Sequence, residues 1–136
     1  MRHEFPWLGR GFVHAVSEAY VEQFRAELEA RAFDVWSLDG GRMLDEVGFW
    51  AEIKRSFEFP DYQGSNWAAF NDSFGDLALP ARFAVVWRQA DRVAVENLKL
   101  FTEAVSVLTS ACQAVSTEGI QGEVIIAGSG GTFRQP

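Results

Sequence analysis

Phe59-Pro60-Asp61-Tyr62-Gln63-Gly64-Ser65-Asn66-Trp67-Ala68-Ala69-Phe70-Asn71-Asp72-Ser73-Phe74 reads as a loop that feeds a short helix. Pro60 fixes the backbone, and Gly64 admits a positive φ that other residues resist. Ser65 or Asn66 can cap the helix start with a side-chain oxygen. At about 100° per residue, Trp67, Phe70, Phe74 and Leu77 fall on one side, the predicted core side. Ala68, Asn71, Asp72 and Gly75 fall together on another, facing solvent or a partner, with Asp72 as the lone charge. Residue type alone leaves this stretch open between a partner-binding face and a capped amphipathic helix with an ordinary surface Asp.

Working upstream, residues 45–57 predict a helix with Phe49, Trp50, Ile53 and Phe57 on one face, stopped by Pro60. Residues 33–38 predict a strand containing Val35 and Trp36, ended by the turn Asp39-Gly40-Gly41. Residues 17–32 predict a helix with Ser17 as N-cap and an apolar stripe of Tyr20, Val21, Phe24 and Leu28. Residues 12–16 form a short apolar run after Gly9 and Gly11, a candidate strand. Downstream, Phe83-Ala84-Val85-Val86 within residues 82–87 suits a strand buried on both faces. Residues 97–116 give the clearest helix, with the stripe Phe101, Ala104, Val105, Leu108, Ala111, Cys112 and Val115. Glu118-Gly119 closes it, and residues 123–127 predict a last strand with Val124, Ile125 and Ile126. Asp91 is assigned to a loop away from the motif. Strands separated by helices imply right-handed crossovers, hence an α/β fold. The expectation is a small parallel sheet covered by helices, of three strands plus a candidate fourth from the N-terminal residues.

The 136 residues amount to about one domain, enough to bury a sizeable core. A 48% hydrophobic and 23% charged composition excludes a disordered or fibrous chain. With 12 basic and 19 acidic residues the net charge is −7, which argues against nucleic-acid binding and favours a basic partner or simple solubility. The single cysteine, Cys112, excludes an internal disulfide and reads as a buried small hydrophobe more readily than as a nucleophile. The sequence shows no signal-peptide-length apolar stretch at its start and no run of about 18 apolar residues, so a cytoplasmic location and no membrane contact are expected. Gly128-Ser129-Gly130-Gly131-Thr132 is expected to fray rather than to cradle a phosphate, because no helix follows it.

Pro60, Tyr62, Gly64, Asn66, Trp67, Ala69 and Asp72 fit the pattern P-x-Y-x-G-x-N-[W/L]-x-A-x-x-D, which resembles the signature of the barstar family, intracellular inhibitors of barnase-type ribonucleases. Leu38-Asp39-Gly40, Val86-Trp87-Arg88-Gln89, Glu118-Gly119 and Val124-Ile125-Ile126 resemble further family elements in matching order. The resemblance spans residues 33–128. The chain is read as a single domain over residues 1–128, in which residues 1–32, without a counterpart in the family pattern, form an added strand and helix, with 129–136 as a flexible tail. The resemblance implies stoichiometric inhibition, in which the motif loop and helix plug a ribonuclease active site. Asp72 would then stand where a substrate phosphate sits, with Tyr62, Gln63, Gly64, Asn66 and Trp67 as loop contacts and Ala68 and Asn71 on the same face. The chain departs from the pattern at three places. The family has a second carboxylate where Ala68 stands, an aromatic where Asn71 stands, and a glutamate on the last helix where Ala114 stands. These losses leave one main anionic contact, so a divergent toxin or a non-nuclease partner is the alternative target.

Other classes are poorly supplied. His3 and His14, the only histidines, have no metal spacing, and Cys112 sits in an apolar pattern. Asp72 and Asp76 lie one turn apart, but surface Asp pairs of this kind are common and do not by themselves make a general acid. The expectation is no enzyme, no catalytic residue, no metal and no cofactor, with a basic extracellular ribonuclease or related toxin as partner.

Overall fold

In a computed structural model that describes residues 12–129, four strands form one sheet: β1 (Val13–Ser17), β2 (Asp34–Asp39), β3 (Arg82–Arg88) and β4 (Gln121–Gly128). Their order is β1-β4-β3-β2, and every neighbouring pair is parallel. The helices are α1 (Val21–Ala30), α2 (Glu46–Phe57), α3 (Trp67–Gly75), α4 (Ala90–Glu96) and α5 (Leu98–Ser116). This is the expected α/β architecture, and the N-terminal run supplies the fourth strand. Val13 lies opposite Val124, and the register runs on to Ser17 opposite Gly128.

Strand side chains alternate between faces, so the central strands serve two cores. Phe83, Val85, Trp87, Val124 and Ile126 belong to a large core filled from α2 to α5. Ala84, Val86, Ile125 and Ala127 belong to a smaller one, closed by Val21, Phe24 and Leu28 of α1. The chain runs from β1 at one edge to β2 at the other with α1 on one face. It then returns to β3 and β4 with α2 to α5 on the opposite face. Reversing direction and face together keeps one hand of crossover, as the chirality rule demands.

The added strand and helix are stitched to the body by polar side chains. His14 Nε2 lies 2.7 Å from Glu123 Oε1, a carboxylate 1% exposed on β4. Glu18 accepts from the Gln89 backbone N–H at 2.9 Å and from Arg88 Nε at 3.1 Å, and Glu22 takes Arg88 Nη1. At the same end of the sheet a Cβ on Gly40 would stand 2.3 Å from the Gln89 carbonyl oxygen, so Leu38-Asp39-Gly40 and Trp87-Arg88-Gln89 pack backbone to backbone. Glu52 is 2% exposed on α2. It accepts from the Asp39 N–H at 2.8 Å and from Arg55 Nε at 2.8 Å. Burial pushes its carboxyl up, but the bonds from Arg55 and Asp39 outweigh that and hold it below the ordinary value. The same contact with Glu52 raises Arg55.

Several expectations are corrected. The helix expected over residues 17–32 is a 3-10 turn, Glu18–Tyr20, capped by Ser17, followed by α1 from Val21. Tyr20 has φ −108° and ψ 2°, so it leaves the apolar stripe and is 40% exposed rather than buried. Pro60 does not end α2. Glu58 does so in the left-handed region (φ 58°), with Phe59 N–H bonded to Lys54 O and Glu58 N–H to Arg55 O, and Phe59 stacks on Phe57. The segment holding Asp91 is not a loop. It is α4, a seven-residue helix in which Asp91 is buried and accepts from the backbone N–H and hydroxyl of Ser129. Along α5 the deepest line is Leu100, Ala104, Leu108 and Cys112; Phe101 and Val105 flank it half-buried, Phe101 at 5.5 Å from Trp87. Gly128 is strand rather than tail, and the expected fraying of residues 130–136, like the Gly9 and Gly11 context, lies outside the described residues.

Candidate functional site

The motif loop is built by small contacts that each need a particular residue. Asn66, with φ −156° and ψ 168°, caps α3 by accepting from Ala69 N–H at 2.8 Å; Ser65 instead takes Lys54 Nζ at 3.1 Å and ties the loop to α2. Gln63 donates from Nε2 to the Ala69 carbonyl at 3.2 Å, closing the loop back on the helix. Gly64 is not among the described residues with positive φ, contrary to the expectation. Its small size is what matters: a Cβ there would stand 3.1 Å from Asn66 Nδ2 and 3.4 Å from Ala69 Cβ, crowding the cap.

Helix α3 is fixed from beneath by aromatics. Phe70 and Phe74 are buried and stack on one another at 5.7 Å, and Phe70 meets Phe57 and Phe59 edge-on. Trp67 is half-buried. Its ring meets Trp50 at 4.7 Å and Phe49 at 5.8 Å, and its indole N–H donates to Glu103 Oε1 at 3.0 Å. Trp67 therefore anchors the first turn of α3. Lys54 and Glu103 are supporting residues that sequence reading missed. They lie 11 and 36 positions from their partners, and nothing local in the sequence marks them.

The opposite side of α3 is bare. Ala68, Asn71, Asp72 and Gly75 are all exposed, and a Cβ on Gly75 would meet nothing within 4 Å. Asp72 makes no hydrogen bond or ion pair among the described residues. Tyr62, on the loop, is 87% exposed. The structure thus divides the sequence-predicted residues into two sets. Gln63, Gly64, Asn66 and Trp67 hold the loop and helix rigid, while Tyr62, Ala68, Asn71 and Asp72 face outward. A carboxylate on a helix anchored in this way, with Ala68, Asn71 and Gly75 around it and the exposed Asp76 one turn further on, can enter a cationic cleft without first breaking a pair of its own.

Burial, then the charge of Glu123, pushes the Cys112 thiol up to about 12, which keeps it out of thiolate chemistry. No group of three His, Cys, Asp or Glu among the described residues is placed to hold a metal ion. Among them no helix is long and apolar enough to cross a membrane.

A family model described as Barstar (barnase inhibitor) matches residues 33–127, which takes in β2 and all but the last residue of β4. No curated protein matches the chain.

Proposed function

The chain belongs to the barstar family, and on that premise we propose that it inhibits a barnase-type ribonuclease by inserting the bare face of α3 into the enzyme's active site. One observation carries the reading. Asp72 stands exposed and unpaired among the described residues, on the small-residue face of a helix held rigid by Asn66, Gln63 and Trp67. A site that binds RNA phosphate must present cations, and a carboxylate delivered among them forms charge-assisted hydrogen bonds. The −7 charge of the chain would speed its encounter with a basic enzyme. An inhibitor that protects its own cell must meet the nuclease before export, so the proposal expects this one in the cytoplasm.

The test is titration of the purified chain into a panel of small basic ribonucleases of the barnase type, read as residual RNA cleavage. The proposal expects cleavage of at least one to fall linearly to zero at one equivalent. Undiminished cleavage across the panel refutes it. A second reading, a barstar-like module for a divergent toxin or a non-nuclease partner, is favoured by Ala68, Asn71 and Ala114, where carboxylates and an aromatic of the family pattern are missing.

A further inference from the structure

Beside the motif loop lies an open groove of about 820 Å³ that the α3 face does not use. Its walls are the outer side of α2 and the stretch from Glu58 to Ser65, so it shares Asp61 and Ser65 with the loop. Its lining is mainly apolar: Val47 is 83% exposed, Ala51 is exposed, and the edges of Trp50 and Phe59 form the floor. The charges around it are sorted. Of its two cations, Arg55 is paired with Glu52, while Lys54 donates to the neutral Ser65 hydroxyl and keeps its charge. The carboxylates of Glu46, Glu58 and Asp61 are exposed and make no hydrogen bond or ion pair among the described residues.

Glu58 is costly where it stands. It holds a left-handed φ of 58° at a C-terminal helix position, where glycine is favoured, and it sets a negative charge against the negative end of the helix dipole. Local rules broken in this way concentrate at sites of function. An apolar trough with free acids on its rim is complementary to an apolar side chain flanked by lysine or arginine.

We propose that this groove is a second docking patch for the same basic ribonuclease, receiving an apolar side chain of a Lys- or Arg-flanked surface segment. This rests on the reading of α3 as the inhibitory face. Continuity through Asp61 and Ser65 lets one rigid partner cover both patches, and the groove acids restore attraction that Ala68 and Ala114 do not supply.

The test uses the ribonuclease of the panel that binds tightest, with three variants measured for binding rates and melting. Ala51→Arg fills the groove from an exposed helical position and leaves folding intact. Its Kd should rise about tenfold or more, while its melting temperature stays that of the parent. Glu46→Gln with Glu58→Gln should slow association at low salt by about threefold and lose that difference at high salt. Asp72→Ala serves as the reference for the α3 face. If Ala51→Arg and the double variant bind within about twofold of the parent while Asp72→Ala loses binding, the groove proposal is overturned and the α3 reading stands. If the groove variants weaken binding and Asp72→Ala does not, the α3 reading fails and the groove becomes the primary contact. A parent chain that binds no ribonuclease of the panel overturns both.

Discussion

Leu28→Ala tests whether residues 12–32 are part of the folded body. Leu28 is fully buried, between Val21 and Phe24 on its own helix and the sheet face made by Ala84, Val86, Ile125 and Ala127. Leu→Ala at a buried site costs about 2–5 kcal/mol, depending on how far the surroundings collapse into the space. Here one wall is a four-stranded sheet whose opposite face is filled by α2 to α5, so it cannot move inward. The other wall is α1, pinned at its start by Glu18 and Glu22 on Arg88 and Gln89, and at its end by the Phe33 N–H on Leu28 O. Little collapse is available, which puts the cost in the upper half, about 3–5 kcal/mol. For a domain of this size that lowers Tm by roughly 9–20 °C. Ribonuclease inhibition well below the new Tm should be unchanged, because α3 lies across the sheet from α1. Differential scanning calorimetry on parent and variant reads the shift. A Tm within 2 °C of the parent, on the order of 0.5 kcal/mol, would show that α1 is a loose appendage.

Three further predictions concern the body. Glu52→Gln should destabilise at neutral pH by about 1–3 kcal/mol; the stranded Arg55 is half exposed and can hydrate, which spares the larger cost of a fully buried charge. The folded Glu52 carboxyl lies below its ordinary 4.5, so its contribution is full above that pH and is lost as pH falls through the folded value. Urea unfolding should therefore show the parent and Glu52→Gln converging in acid; a gap that widens there refutes the assignment. Glu58→Gly should stabilise by about 0.5–1 kcal/mol, since relief of the left-handed strain exceeds glycine's entropy cost, and an unchanged or lower Tm would contradict it. Gly40→Ala should cost about 1–3 kcal/mol or more, because its Cβ meets the backbone carbonyls of Gln89 and Arg88 at 2.3 and 2.5 Å; a denaturation midpoint equal to the parent's would mean that the turn shifts freely.

What the sequence made legible follows from the range of the forces involved. Phe83-Ala84-Val85-Val86 announced a strand buried on both faces because four apolar residues follow one another without a polar interruption. The α5 stripe and the Asn66 cap are likewise set within a few residues. Asp91 misled because its partner, Ser129, is 38 residues away, so a buried acid in a short helix looked like a loop charge. Glu123 read as one more strand position, and only the fold shows His14 from 109 residues upstream satisfying it. Tyr20 fitted the helical stripe by spacing, but the Ser17-capped turn rotates it outward. At the candidate site the outward residues Ala68, Asn71, Asp72 and Gly75 followed from periodicity alone. The core side of Trp67 followed from the same periodicity, but its indole bond to Glu103 and the closure of Gln63 on the Ala69 carbonyl required the fold.

The central claim, that Asp72 occupies the place of a phosphate, is tested most directly by titrating Asp72→Ala against the cognate ribonuclease and reading residual RNA cleavage. Removing a carboxylate buried among the partner's cations leaves them unpaired and costs about 2–5 kcal/mol, mostly as faster dissociation. That is a rise in Kd of roughly 30- to 5,000-fold. The Tm should hold, since Asp72 is exposed and makes no ion pair among the described residues. Glu29→Ala is the control: this exposed carboxylate sits on α1, across the sheet from α3, and its loss should change binding by no more than about 0.5 kcal/mol. Inhibition by Asp72→Ala equal to that of the parent would contradict the account and remove the α3 face as the inhibitory surface.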